Sequence, residues 1–429
     1  SYDTDNILAN EGNNSLNSLK YNYQMNIECS RKPASGFVGG GVKQLIFSDM
    51  KNSQVKDNWN RVSTVWNDVY TNNGIIHILS PQHSFGFDEF IYVFNNYGNE
   101  YTHEVRLNAG VAVNNALGLG DRLTVDGMTS GNLNFGRLGY EATINGIGTR
   151  LGASYSDLAY ELGKEYKALD ATGTAQQISV WLNQPILLNN RSEVILGVQY
   201  DHKRLKDDIN VAEIYRDRNI DVGRIRLDAS QYDDFAGGGL TQLGVATDIG
   251  RVNFKNAMAE LGDQATAKTQ GEFVSAFMNV SRLQNLNGSK TQIYAALQAQ
   301  YSPDNLDSAQ QFSVGGASNI AGYKNSALSG STGYYILSEL RQSLYASAQN
   351  QLAAKIYVDT ATVKHQAREW SGLTGKNIEQ IISAGFGLNW SNAMQWQAAL
   401  TVGFPIGAQP DSVDKRNDVE AWLNLSKRF

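Results

Sequence analysis

From about Phe90 to Phe429, apolar and polar residues alternate with period two in segments of roughly ten, separated by Gly, Asn, Asp and Ser turns. Over 396–404, Trp396, Ala398, Leu400, Val402 and Phe404 point one way while Gln397, Ala399, Thr401 and Gly403 point the other. Over 382–390, Ile382, Ala384, Phe386, Leu388 and Trp390 oppose Ser383, Gly385, Gly387 and Asn389. The same reading fits Val105, Leu107, Ala109, Val111 and Val113, and again Val194, Leu196, Val198 and Tyr200. In a soluble sandwich such an apolar face fills a core, and in a membrane barrel it meets lipid. Alternation alone does not choose between them. The number of segments in one unbroken series favours the membrane, as does the alternation of connections. Short ones (114–121, 145–148, 391–394) alternate with long polar ones (163–172, 206–219, 255–269, 303–331, 363–379, 406–417).

The predicted strands lie near 89–97, 102–114, 121–130, 136–145, 149–162, 174–186, 192–204, 220–233, 239–254, 270–284, 290–301, 332–347, 352–363, 379–391, 394–405 and 418–429. The expected fold is therefore all-β, a closed antiparallel transmembrane barrel of about sixteen strands over 89–429. The last strand carries Leu423 and Leu425 on one face and stops on Phe429. An aromatic closing an amphipathic strand reads as the signal taken up by the bacterial barrel-assembly machinery. That machinery and outer-membrane lipid are the expected partners during and after assembly.

Residues 1–88 do not alternate, and the first forty are rich in Asn, Ser and Gly. Trp59, Val62, Trp66 and Val69 recur at helical spacing, which predicts one amphipathic helix over about 55–70. It reads either as a helix packed on a small sheet that uses 74–79, or as a plug or docking surface in the lumen or at the periplasmic mouth. The start at Ser1 reads as that of a mature or trimmed chain.

Composition narrows the classes further. No apolar run approaches the ~20 residues of a membrane helix, so any bilayer contact falls to strands. Glycine makes up 41 of 429 residues and aromatics 10%, a mix suited to amphipathic sheet. With 36 basic against 42 acidic residues the net charge is -6, which argues against nucleic acid as a partner. A single cysteine, Cys29, offers neither a disulfide nor a Cys-based metal site. His77, His83, His103, His202 and His365 are scattered without ligand spacing, and no nucleophile elbow occurs. Gly315-Gly316 lacks the following Lys-Ser/Thr of a phosphate loop. No catalytic residue, metal or cofactor is expected, and the chain is expected not to be an enzyme.

The most specific stretch is Phe312-Ser313-Val314-Gly315-Gly316-Ala317-Ser318-Asn319-Ile320-Ala321-Gly322-Tyr323, inside the longest loop. It resembles the sixth-loop motif of the two-partner secretion transporters (TpsB proteins of the Omp85 superfamily, haemagglutinin and contact-dependent-inhibition exporter type), where Gly-Gly precedes Val-Arg-Gly-Tyr/Phe. Phe94-Asn95-Asn96-Tyr97-Gly98-Asn99, then Asn114-Asn115-Ala116-Leu117-Gly118-Leu119-Gly120-Asp121, look like that family's first barrel turns. Gly333-Tyr334-Tyr335 leading to Glu339-Leu340 looks like the strand after the loop.

The resemblance covers about 90–429. It implies a bacterial outer-membrane monomer whose sixth loop folds into the lumen between the eleventh and twelfth strands. It further implies export of a large unfolded TpsA-type exoprotein to the cell surface without ATP; a diffusive porin is the alternative. On the motif, Phe312, Gly315, Gly316, Ile320, Gly322 and Tyr323 match, but Ala321 stands where the family has Arg. The ion pair that Arg would make falls on Asp359, which is left to water, Lys324 or another base. The family also carries two POTRA domains before the barrel, whereas 88 residues hold at most one, so 1–88 is expected to be a POTRA-like fragment or a plug segment, periplasmic or lumenal.

Overall fold

A computed structural model of the chain describes residues 89–286, 290–413 and 416–429, together with five strands within the first 88 residues. Two units emerge: 1–88 with 113–123, and 89–112 with 124–429.

The first unit contains an antiparallel sheet in chain order, β1 (Gln24–Ile27), β2 (Lys43–Asp49), β3 (Gln54–Asp57), β4 (Val62–Thr71) and β5 (Gly74–Leu79). Among the described residues of 55–70 the expected helix is not formed; they belong to β3 and β4. Val62, Thr64, Val65, Val69 and Thr71 are β-branched, and with Trp66 and Tyr70 they favour extended backbone over helix. Trp59 lies outside the described residues. The expected sheet over 74–79 is β5, paired to β4 from Val65↔Leu79 to Thr71↔Gly74.

The second unit is a closed barrel of sixteen strands. They are β6 (Glu89–Asn95), β7 (Arg106–Asn114), β8 (Arg122–Thr129), β9 (Leu133–Thr143), β10 (Arg150–Glu161), β11 (Ala171–Leu188), β12 (Ser192–Ile209) and β13 (Ile214–Asp233). There follow β14 (Gly239–Phe254), β15 (Gly271–Asn285), β16 (Thr291–Tyr301), β19 (Thr332–Ala346), β20 (Asn350–Lys364), β21 (Ile378–Asn392), β22 (Trp396–Ile406) and β23 (Glu420–Arg428). Between β16 and β19 the loop forms its own hairpin, β17 (Phe312–Val314) with β18 (Leu328–Gly330). The ring closes where β23 pairs with β6 over five residues, Asn424↔Asn95 to Arg428↔Ile91. Phe429 sits at this seam: its amide donates to the Phe90 carbonyl at 2.8 Å, and its ring lies 6.0 Å from that of Phe90 and 5.9 Å from that of Tyr92.

The faces divide as the alternation predicts. Leu388 pairs with Leu400, and Phe386 with Val402. Phe386, Leu388, Trp396 and Phe404 are exposed on the outer wall, while Ser383 is buried on the inner one. Arg introduced at Leu400 should therefore cost ~2–4 kcal/mol near mid-membrane, and Arg at Gln397 much less. Heat-modifiable electrophoretic mobility of the two variants measures assembly; greater damage from Gln397→Arg would reverse the assigned faces.

One connection departs from expectation. Residues 206–219, read as a long loop, are mostly strand, because β12 and β13 stay paired from Ser192↔Gln231 to Ile209↔Ile214. At 18 and 20 residues these strands far exceed the ~9–11 needed to cross a bilayer. Their outward positions change from Leu196 and Val198 to Arg204 and Lys206 part-way up, so the wall continues beyond the apolar belt.

Candidate functional site

The loop of 302–331 turns into the barrel and packs on its inner wall. Phe312, Val314, Ile320, Tyr323 and Leu328 form one buried cluster with Tyr335 of β19, Ala361 and Val363 of β20, and Ile381 of β21. Those wall residues alternate with outward Ile336, Ile356, Val358 and Ile378, which are exposed. The cluster therefore lies inside the ring, and burying it is the main force holding the loop there.

Local geometry explains the glycines. Gly315 and Gly316 sit at φ +114° and +105°, a region that side chains disfavour. Asn319 closes the turn they begin, accepting from the amides of Gly315 at 2.7 Å and Ile320 at 2.9 Å. At the tip the requirement is for space. A Cβ on Gly322 would lie 2.5 Å from Ser383 Cβ and 2.9 Å from the Pro405 nitrogen. A Cβ on Gly403, in the facing β22, would lie 2.5 Å from the carbonyl carbon and oxygen of Ala321. Two glycines let main chain meet main chain.

Polar contacts fix the docked tip. The indole Nε1 of Trp422 on β23 donates to the Ala321 carbonyl at 2.7 Å. The Gly322 amide donates to Ser383 Oγ at 3.1 Å, and the Ser383 hydroxyl donates in turn to Asp359 Oδ1. Asp359 Oδ2 is sealed from solvent without a hydrogen-bond partner, with the Ala321 backbone beside it. The Asp359 side chain bonds the Ser383 side chain, not Lys324. Lys324 instead pairs with Glu100 at 2.6 Å, and Lys164 reaches the same carboxylate at 3.1 Å. Burial raises the Glu100 pKa, but hydrogen bonds from Lys324 and Lys164 outweigh it and hold the carboxyl below its ordinary range. This anchor persists at neutral pH and on the acid side is lost as Glu100 becomes protonated. Asn325 adds bonds of 2.8 Å to the carbonyls of Tyr97 and Gly98.

A second anchor, which sequence reading missed, holds the loop's base. Arg218 of β13 donates to Asp307 at 2.6 and 3.2 Å and to Asp207 at 2.7 Å, and Tyr160 donates to Asp207 at 2.8 Å. The Arg218 and Asp307 side chains are only 3% and 1% exposed. Leu306 beside them packs with Leu205, Ile220, Val222, Val252, Phe254 and Phe273. The partners lie 89 residues apart, a separation no local pattern signals.

A family model, described as haemolysin secretion/activation protein ShlB/FhaC/HecB, matches residues 76–390. The chain belongs to this family. It is a TpsB-type barrel of the Omp85 superfamily and a protein of the bacterial outer membrane. The heme/hemopexin transporter protein HuxB of Haemophilus influenzae (strain 86-028NP) is 27% identical over 346 residues, 80% of this chain and 60% of HuxB. This chain therefore spans less than two thirds of that relative. Among solved structures, CdiB from Escherichia coli superposes with a TM-score of 0.69 at 18% identity, covering 84% of this chain and 66% of CdiB. CdiB from Acinetobacter baumannii gives 0.61 at 19%, over 85% and 64% of the two chains. These likenesses are of fold.

Within this TpsB-type barrel, restoring the family residue by Ala321→Arg should couple to Asp359, whose free Oδ2 can accept a charge-assisted bond. A double-mutant cycle with Asp359→Ala, read by thermal unfolding in detergent, should show a coupling of about 0.5–3 kcal/mol. Independent effects at 321 and 359 would refute the pairing.

Proposed function

We propose that this barrel exports a large, unfolded TpsA-type exoprotein from the periplasm to the cell surface, without ATP. The observation that carries the reading is the sixth loop docked inside the lumen, seated on an apolar cluster and fixed at its tip by replaceable polar contacts, in a chain of the TpsB family. Such a loop can leave the pore and return to it. The relative HuxB, a heme/hemopexin transporter protein, supports a transport function.

The inner wall supports a sliding chain. Beneath the loop tip, a cavity of about 440 Å³ is lined by Gln351, Asn389, Ser391, Gln397, Asn424 and Ser426 among others. These are uncharged amides and hydroxyls, able to donate to and accept from any peptide backbone. Across the lumen the polar side chains are already engaged with one another: Arg224 with Asp248 at 2.6 Å, Trp181 with Glu141 at 2.7 Å, and Gln199 with Asp201 at 2.8 Å. An extended chain therefore meets weak, exchangeable contacts along one wall, and its folding outside makes passage one-way. Phe429 serves in this reading as the assembly signal, and the sheet within 1–88 as a periplasmic or lumenal module.

Proteoliposomes that contain this chain and no nucleotide should take up its TpsA-type exoprotein when that is supplied unfolded. A requirement for ATP, or equal passage of unrelated small solutes through a steady open pore, would favour a different activity; the second result would identify a porin.

A further inference from the structure

The hairpin of the sixth loop is gripped at a point remote from its tip. His365 follows β20, and its ring lies between β18 and β21. Its Nδ1 is 2.7 Å from the Ser329 carbonyl oxygen, and its Nε2 is 2.9 Å from Glu379 Oε2. The main chain holds the residue in register, with its amide donating to the Asn377 carbonyl at 2.8 Å and its carbonyl accepting from the Ser331 amide at 3.1 Å. Both atoms that face the ring are acceptors. A neutral imidazole has one N–H and one lone pair and satisfies only one of them; the imidazolium satisfies both.

Glu379 is arranged to be an acceptor. It is buried, and besides His365 its oxygens take the amide of Ser412 at 3.2 Å and the Ser412 hydroxyl. The hydroxyl of Ser412 donates to the carboxylate and not to the imidazole, so the three side chains are not a nucleophile–base relay.

We propose that His365 is a positioning residue for the sixth loop: doubly protonated, it ties β18 to β21 and holds the hairpin against the lumenal wall, and on losing a proton it releases one of the two grips. The inference uses the proposed export only in treating the loop as the element that opens.

The other charged groups nearby are otherwise engaged. Lys364 bonds the Ala367 carbonyl at 3.0 Å, and Lys376 pairs with Asp411 at 3.3 Å. Arg368 pairs with Asp304 at 2.8 Å, and Glu369 accepts from Asn377 at 2.8 Å. From β18 only the carbonyl of Ser329 bonds the ring; strands β17 and β18 carry no charged side chain, and Lys324 in the turn between them is paired with Glu100. The sign follows. The grip is complete while the ring carries both protons and weakens when base removes one, because two acceptors face it, while acid strong enough to protonate Glu379 would also end it.

Hydrogen exchange of the amides in 312–330, measured by mass spectrometry on the full chain in detergent and corrected for intrinsic rates, tests this. Protection should fall several-fold between pH 6 and pH 8. Glu379→Gln, whose amide can donate to a neutral imidazole, should retain protection at pH 8. His365→Gln should abolish the dependence on pH. Equal corrected protection of the unaltered chain at the two pH values would overturn the proposal, as would a step that survives in His365→Gln. Export is not read in this experiment, so failure of the secretion assay and failure of the latch remain separate results.

Discussion

Arg218→Ala is expected to lower the stability of the folded barrel by roughly 3–5 kcal/mol, because it leaves the carboxylate of Asp307 buried and unpaired. The guanidinium serves two acids at once, and Tyr160 orients the second. The penalty should be set by the charge left behind and not by the worth of the pair. Arg218→Met combined with Asp307→Leu should accordingly recover most of the loss, since well-packed apolar replacements of buried ion pairs are often neutral or better. Thermal unfolding in detergent, followed by heat-modifiable mobility, would measure all three variants. If the double variant is as unstable as Arg218→Ala, the desolvation argument is wrong and Arg218 matters by packing or shape.

Gly403→Val should evict the loop tip from its dock. Even the first carbon of the new side chain would sit 2.5 Å from Ala321 carbonyl atoms and from the Gly322 nitrogen, and main chain on both sides leaves little room to yield. Overpacking of this kind costs about 1–3 kcal/mol, and losing the bonds from Trp422 and to Ser383 adds about 1 kcal/mol each. A loop held at its tip by so few contacts should then spend most of its time undocked. Planar-bilayer current should rise well above that of the unaltered chain, and Gly322→Val should behave alike. Unchanged current in both variants would mean that the tip does not limit the pore.

The sixteen strands were legible because outward and inward positions differ so clearly, as with Phe386 and Leu388 against Ser383 and Gly385 on β21. The upper halves of β12 and β13 were not. There the outward series changes from Val198 to Arg204 and Lys206, which marks the end of lipid contact and not the end of the strand. In β4, Val62, Trp66 and Val69 fall three and four apart by accident of a β-branched sequence, and spacing was read where residue shape should have decided. The sixth loop could be located from its glycines. Its partners could not be found: Trp422 lies 101 residues from Ala321, and Glu100 lies 224 from Lys324. Only the closed ring brings them together.

That the loop is fastened at its base to β13 and at its tip to Ser383 and Trp422 has a mechanical consequence. It is a chord drawn across the ring, from the eighth strand to the fourteenth and the sixteenth, up to half of the way round. A chord limits how far the walls it joins can separate, so a docked loop restrains the barrel's cross-section as a tie-rod restrains an arch. Releasing the tip would do more than unblock the passage. It would free β20–β23 to move outward relative to β13, and the pore would gain width from its walls as well as from the space the loop vacates.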